Sequence, residues 1–239
     1  MFLNKIKLII NDSEPDFIFH LAAQPIVSES FKNPIDTIIS NSLGTVNLLQ
    51  IINDIDWKCS VLFVTSDKCY ENVEWVWGYR ETDRLGGSDP YSASKAAAEI
   101  IIKSYIVSYF PKDGNIKIGI GRAGNVIGGG DWSEKRIIPD AMRSWSHKRP
   151  LILKNPSSTR PWQHVLEPLG GYLRLAYTLK MENKLHGEAF NFGPASSENF
   201  TVLEVISEMS KDWDNVEWEV NKSKKEFSES GLLKLNFDK

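Results

Sequence analysis

An acid and a base follow one another where an apolar run ends. In SVLFVTSDKCY, Ser60 to Tyr70, residues suited to a buried strand give way to Thr65, Ser66, Asp67 and Lys68. Such groups are poor core residues but useful reagents, since a carboxyl can donate a proton and a neutral amine can accept one. A second pair lies in DPYSASKAAAEI, where Tyr91 and Lys95 stand four apart. On a helix this spacing puts both side chains on one face, about a turn apart. An ammonium beside a phenol favours the phenolate and lowers a pKa that is ~10 in the free side chain. The expectation is a phenolic base usable near neutrality. Taken alone, Tyr91 and Lys95 are equally consistent with ordinary helix surface, and Asp67 with Lys68 is consistent with a solvated strand end.

Elements that would position these groups are legible around them. After a short helix-like start, DFIFHLAA (Asp16 to Ala23) is a continuous apolar run closed by small residues, which suits a strand buried on both faces of a parallel sheet. Ile35, Ile38, Ile39, Leu43, Val46 and Leu49 keep a helical period from about Pro34 to Asp54. Pro90 opens a second long helix to about Tyr109, with Asp89 placed as N-cap. NIKIGIGRAGNVIGGGDW then reads as a strand breaking into a glycine-rich loop. Strands alternating with helices of this length predict a doubly wound α/β sheet with right-handed crossovers. Beyond Asp131 the pattern loosens, with helical IIPDAMRSW and LEPLGGYLRLAYTL and strand-like LILKN and EAFNFG, and predicts a smaller second lobe. The closing NKSKKEFSESGLLKLNFDK is polar and shows no stop signal.

Composition narrows the classes. At 239 residues and 41% hydrophobic content, the chain is long enough for one large core or two modest ones. A formal net charge of -3 gives no basic excess to draw it to nucleic acid or anionic lipid. Cys59 and Cys69 sit in no CxxC and near no histidine cluster, so reduced thiols and no metal site are expected. No apolar run approaches the ~20 residues of a membrane span. The expectation is a soluble cytoplasmic protein.

HLAAQ after the first strand, TSD after the second, YSASK on the helix and RAGNVIGGGDW after the third resemble the extended short-chain dehydrogenase/reductase pattern across nearly the whole chain. TSDKCYEN, EWVWGYRE, DPYSASK, GRAGNVIGGGDW, RIIPD and RPWQHVLEPLGGY are narrower and look like the CDP-glucose 4,6-dehydratases. This resemblance implies an α/β fold: a partial Rossmann-type doubly wound parallel sheet with a smaller α/β substrate-binding lobe. It divides the chain at 131, with residues 1–131 the later half of an NAD-binding domain. Residues 132–239 form the lobe, part of which returns to the sheet.

The same resemblance implies a lyase using NAD on CDP-glucose, a small-molecule sugar nucleotide. Tyr91 would take the 4-hydroxyl proton during oxidation at C4, with Ser66 hydrogen-bonding the 4-oxygen and Lys95 beside it. Lys68 would remove the C5 proton and Asp67 would protonate the departing 6-hydroxyl. The dTDP-glucose dehydratases carry Asp-Glu at the positions of Asp67 and Lys68. A lysine base must be neutral, so its pKa would have to fall from ~10.4. Lys95 and a nicotinamide charge are the expected causes. Ala22, Ala23, Gln24, Asn41 and Thr65, with Tyr91 and Lys95, resemble the cofactor set, while tight packing explains Ala22 and Ala23 equally well. Asn125, Arg136 and Arg160 resemble residues that hold the diphosphate, for which arginine's planar fork is suited. His164 is either a substrate contact or a satisfied structural histidine. Trp75, Trp77 and Trp162 are expected to pack loops.

By resemblance the chain begins just before the fourth strand of the nucleotide-binding sheet, without the GxxGxxG turn, and stops short of the family's end. The expectation is an exposed apolar edge along DFIFHLA, weak NAD binding by these residues alone and little turnover. A homodimer through the two long helices is also implied. Two other readings stay open: a sugar-nucleotide epimerase or decarboxylase, which does not need Asp67 and Lys68, and a non-catalytic remnant of the fold.

Overall fold

The computed structural model describes residues 2–195, 199–214, 216–220 and 231–239. In chain order the first elements are α1 (Phe2–Ser13), β1 (Phe17–His20), α2 (Val27–Lys32), α3 (Pro34–Ile38) and α4 (Gly44–Asn53). They are followed by β2 (Cys59–Val64), α5 (Pro90–Tyr109), β3 (Ile116–Ala123), β4 (Val126–Ile127) and α6 (Ile137–Ser146). β5 (Leu151–Leu153), β6 (Thr159–Arg160), β7 (Gln163–His164) and α7 (Leu166–Met181) come next. β8 (Ala189–Phe192), β9 (Phe200–Thr201), α8 (Val202–Ser210) and β10 (Trp218–Val220) complete the set.

The main sheet is parallel, in the order β1-β2-β3-β8. Alternation along its strands assigns the two faces. Val61 and Phe63 of β2 and Ile118 and Ile120 of β3 share a core with Leu48, Leu49, Ile52 and Ile102 of α4 and α5. Leu62 packs on the opposite face with Tyr172, Leu175 and Leu179 of α7. Each such side chain contributes roughly 1.5–3 kcal/mol by leaving water. β3 divides its residues unequally: isoleucines face α4 and α5, glycines face α7. A Cβ on Gly119 would lie 2.7 Å from Leu179 Cδ1, and one on Gly121 would lie 2.8 Å from Tyr172 Cε1. The glycines therefore let α7 sit close against the sheet.

One expectation is corrected. β1 is a four-residue edge strand with β2 as its neighbour, and it is half-buried, with Phe19 37% exposed, so it is not buried on both faces. The long helix from Pro34 runs as expected, to Asn53, and contains a π turn at residues 39–43 between α3 and α4, a wide turn that brings Asn41 and Ser42 inward. The polar closing stretch contributes to a core. Residues 221–230 lie outside the described residues, but Leu233 and Leu235 are buried against Cys69, Tyr70 and Tyr79. The smaller strands pair as β4 with β7, β5 with β10 and β6 with β9.

If β3 needs glycine to admit α7, Gly121→Ala should cost roughly 1–3 kcal/mol through overpacking. Gly129→Ala, where a Cβ would meet nothing within 4 Å, should be close to neutral. Denaturant midpoints compare them, and equal midpoints would refute the close-packing account.

Candidate active site

The start of α5 is set by local chemistry. Asp89 accepts from the Ser92 backbone N–H at 2.9 Å and from the Ser92 hydroxyl at 2.6 Å, and Pro90 occupies the first turn. With the helix start fixed, Tyr91, Lys95 and Glu99 recur at intervals of four along one face, and all three are buried.

β2 delivers the other groups at its carboxyl end. The Thr65 N–H donates to the Gly121 carbonyl at 2.8 Å, after which the chain leaves the ladder. Ser66 caps a single 3-10 turn, Asp67–Cys69, its oxygen accepting from the Lys68 N–H at 3.2 Å. The Ser66 hydroxyl donates to Asp67 Oδ1 at 3.0 Å. Asp67 is 4% exposed, and its Oδ2 is buried with no hydrogen-bond partner among the described residues. Burial raises the Asp67 pKa against the pull of Lys68, Ser66 and Arg160. The carboxyl is thereby disposed to hold a proton.

Burial also decides the Tyr91 and Lys95 pair, and it reverses one expectation. The Tyr91 phenol is pushed up to about 12, because desolvation outweighs the opposing pull of Ser66 and Arg136. Lys95 is brought down to about 8 by burial, with Cys69 and Glu99 acting the other way. The base poised nearest neutrality is therefore the Lys95 amine and not a phenolate. The expectation rested on Coulomb attraction in water, whereas here the loss of water is the larger effect.

Two clefts meet this region. One, of about 230 Å³, is lined by Ala22, Asn41, Thr65 and Lys95, together with His20 and Thr45. His20 is lowered to about 4 by burial first and Lys95 second, so its imidazole is neutral. Asn41 is heavily committed within the protein: Oδ1 accepts from the Gln24 N–H at 2.7 Å, and Nδ2 donates to the Gln24 carbonyl at 3.1 Å and to Ser94 Oγ at 2.9 Å. It therefore shapes the loop of Ala22, Ala23 and Gln24. The Gln24 side chain turns inward to Thr37 and the Ile26 N–H, so neither it nor Ala23 lines this cleft.

The second cleft, about 500 Å³ including its open mouth, brings Lys68 and Arg160 together beside Tyr70, Asp89 and Ser92. Arg160 is 6% exposed, donates to the Thr159 carbonyl at 2.7 Å and acts on Asp67. Arg136 is half-exposed, pairs with Asp131 at 3.2 Å and acts on Tyr91. Asn125 and His164 line neither cleft. The Asn125 carbonyl accepts from the Gln163 N–H at 2.9 Å, and exposed His164 accepts from the Leu166 N–H through Nδ1 at 3.3 Å. Trp162 donates to the Phe200 carbonyl, but Trp77 is 72% exposed and does not pack its loop.

A buried polar network escapes the sequence reading. Arg122 Nε donates to Glu99 Oε1 and Oε2 at 2.8 and 3.0 Å, and both side chains are inaccessible to water. Arg122 Nη1 donates to Tyr70 Oη at 2.6 Å, and Tyr70 donates to Asn191 Oδ1 at 2.7 Å. Thr65 Oγ1 donates to Glu99 Oε1 at 2.6 Å. The available signal was one charge inside each of two apolar runs, Arg122 in IGIGRAG and Glu99 in AAAEIII.

The chain is similar to proteins named as dehydratases and epimerases. A family model described as GDP-mannose 4,6 dehydratase matches residues 3–236. The CDP-glucose 4,6-dehydratase of Salmonella typhimurium is 44% identical over 219 residues, covering 90% of this chain and 61% of that protein. The chain thus spans about three fifths of that curated relative's length. An epimerase structure from Methanothermobacter thermautotrophicus has a TM-score of 0.82 at 21% identity, over 98% of this chain and 68% of that one. A dTDP-glucose 4,6-dehydratase from Streptomyces venezuelae, solved with NAD bound, has a TM-score of 0.74 at 22% identity, over 92% and 65%.

A carboxyl held above its ordinary value near 3.8 binds a proton in the folded chain that the unfolded chain gives up first. The stability it contributes is fully present below that ordinary value and is lost as pH rises through the folded one. Asp67→Asn removes the buried charge at constant shape, so it should be more stable than the parent near pH 7, with the gap closing on acidification. Denaturant midpoints across pH check this, and a gap independent of pH would argue against a buried protonated acid.

Proposed function

The chain belongs to the GDP-mannose 4,6 dehydratase family, and from that premise we propose that its site serves the NAD-dependent dehydration of CDP-D-glucose to CDP-4-keto-6-deoxy-D-glucose. The observation that carries this reading is the Asp67 carboxyl, which has a raised pKa and an unpartnered Oδ2. An elimination needs an acid that keeps its proton until a poor leaving group, hydroxide, must depart as water. Asp67 fits that need, and Lys68, next along the chain, supplies an amine for the C5 hydrogen, which is acidic once C4 is a ketone. Ser66 holds the 4-oxygen. Tyr91 relays the 4-hydroxyl proton, its phenol passing its own proton to the neutral Lys95 amine one turn along as it takes the substrate's.

The first cleft suits the nicotinamide end of NAD, with Ala22 as a small residue in its wall and Thr65 and Lys95 offering polar atoms. Asn41 holds the loop of Ala23 and Gln24 behind that wall, and Tyr91 stands on α5 one turn before Lys95. When bound, NAD supplies reversible hydride transfer, from C4 at the start and back to C6 at the end, so the sugar loses one water with no net oxidation. Arg160 supports diphosphate binding with its fork next to Lys68, whereas Arg136, Asn125 and His164 lie outside that cleft. The identity with the Salmonella typhimurium protein supports the cytosine nucleotide. Free thiols at Cys59 and Cys69 support a cytoplasmic location. Exposed Ile35, Ile39, Leu43, Ile100 and Val107 on the two long helices support a homodimer.

Mass analysis of CDP-glucose incubated with NAD tests the reading, using this chain alone and joined to the preceding part of the Salmonella typhimurium relative. A product lighter by one water is expected in the joined protein. A product of unchanged mass would point instead to epimerisation, and recovery of substrate alone in both would reject the activity. Lys68→Met should cut elimination by about 100-fold or more while C4 oxidation persists, and Tyr91→Phe should suppress both.

A further inference from the structure

We propose that the buried Glu99 and Arg122 pair is a positioning element that fixes Asp67 against Tyr91 by gripping both ends of the segment between Thr65 and Tyr70. The inference deepens the functional reading above and rests on it for what the positioned groups do. The segment's internal hydrogen bonds shape it but do not orient it. Ser66 caps the turn, the Cys69 N–H donates to the Ser66 carbonyl at 3.1 Å, and neither bond reaches α5. Outward bonds from its middle are the Ser66 side chain with Tyr91, the Cys69 thiol with Glu99 and the Gly86 N–H donating to the Cys69 carbonyl at 2.9 Å; the ion pair adds a grip at each end. The Thr65 hydroxyl donates to Glu99 at 2.6 Å, and the Tyr70 phenol accepts from Arg122 at 2.6 Å, its ring lying 4.8 Å from the guanidinium carbon.

Glu99 is one turn beyond Lys95 and two beyond Tyr91 on α5, while Arg122 is on β3. Helix, strand and segment therefore meet at one node, 0% exposed on both sides. Branching is what the pair contributes. A carboxylate offers about four acceptor sites and a guanidinium five donors in a fixed fork, so each can bond its partner and still hold a chain end. Apolar side chains would fill the same space without fixing either end. A buried ion pair is weak evidence of stability, since apolar replacements of similar volume are often neutral or stabilising. Placement is the role left to it. Neither residue lines the two clefts, so both act through the residues they hold.

The test reads the environment of Asp67 directly. That carboxyl is faced by Lys68 and Cys69 of its own turn, Tyr91 of α5, Arg160 of β6 and Tyr172 of α7. Titration of the full chain labelled with carbon-13 at Asp carboxyls, assigned with Asp67→Asn, is compared with the apolar double variant Glu99→Leu, Arg122→Met. The double variant should melt within about 4 °C of the parent. Its Asp67 midpoint should fall toward the ordinary carboxylate value by about one unit or more, because the released segment admits water. Thr65→Val cuts one grip, leaves the ion pair intact and should move the midpoint the same way by less. It decides the question if the double variant does not fold. An unmoved midpoint in the folded double variant, or in Thr65→Val in its stead, overturns the proposal. Where the joined enzyme turns over, the double variant should lower kcat about tenfold or more with KM within about twofold. Absence of dehydration in the parent rejects the functional reading and leaves the titration to judge the placement.

Discussion

A guanidinium and a carboxylate without access to water cannot be arranged casually. Each unmade hydrogen bond in such a place costs on the order of 1–3 kcal/mol, and an unpaired charge costs more. Arg122 and Glu99 meet this demand by bonding each other and distributing their remaining capacity to Thr65, Tyr70 and the Glu81 carbonyl. Tyr70 passes the constraint on to Asn191, whose Nδ2 donates to the carbonyls of Tyr79 and Asn236 at 2.9 Å. A single node thus ties α5, β3, β8, the segment after β2 and the last residues of the described chain. Displacing one member leaves another unsatisfied, so the arrangement is held as a unit.

Around that node the sheet supplies orientation. β2 and β3 present one set of side chains to α4 and α5 and the alternate set to α7, and the glycines of β3 draw α7 in. Strands packed on both faces end in loops that have no core to enter, which is why Ser66, Asp67 and Lys68 emerge at the carboxyl edge where ligands bind in open α/β sheets. The π turn in the preceding helix serves the same edge. It directs Asn41 inward to the backbone of Gln24 and to Ser94, so the first cleft is walled by a loop that a helix holds in place.

Loss of water then sets the proton chemistry. Asp67 and Tyr91 are raised and Lys95 is lowered, each by burial before any neighbouring charge. The common direction is toward neutrality of the side chain, which is what a low-dielectric cavity favours. A carboxyl that keeps its proton and an amine close to losing one therefore follow from the same physical cause.

The helix of Tyr91 and Lys95 was legible from residue types alone: Asp89 caps, Pro90 starts, and the interval of four puts two functional groups on one face. Alternation of strands and helices made the parallel sheet legible as well, because a strand covered on both faces must be continuously apolar. Local signals of this kind depend on near neighbours in sequence. What they could not disclose was the pairing of Glu99 with Arg122 across 23 positions, the use of Asn41 to hold a loop, the exposure of His164 and Trp77, or the sign of the Tyr91 shift. Those depend on which atoms distant segments bring within hydrogen-bond reach and on how much water they exclude. The order of residues determined the local elements and the reagents they carry; only the tertiary packing decided the company and the dielectric in which those reagents act.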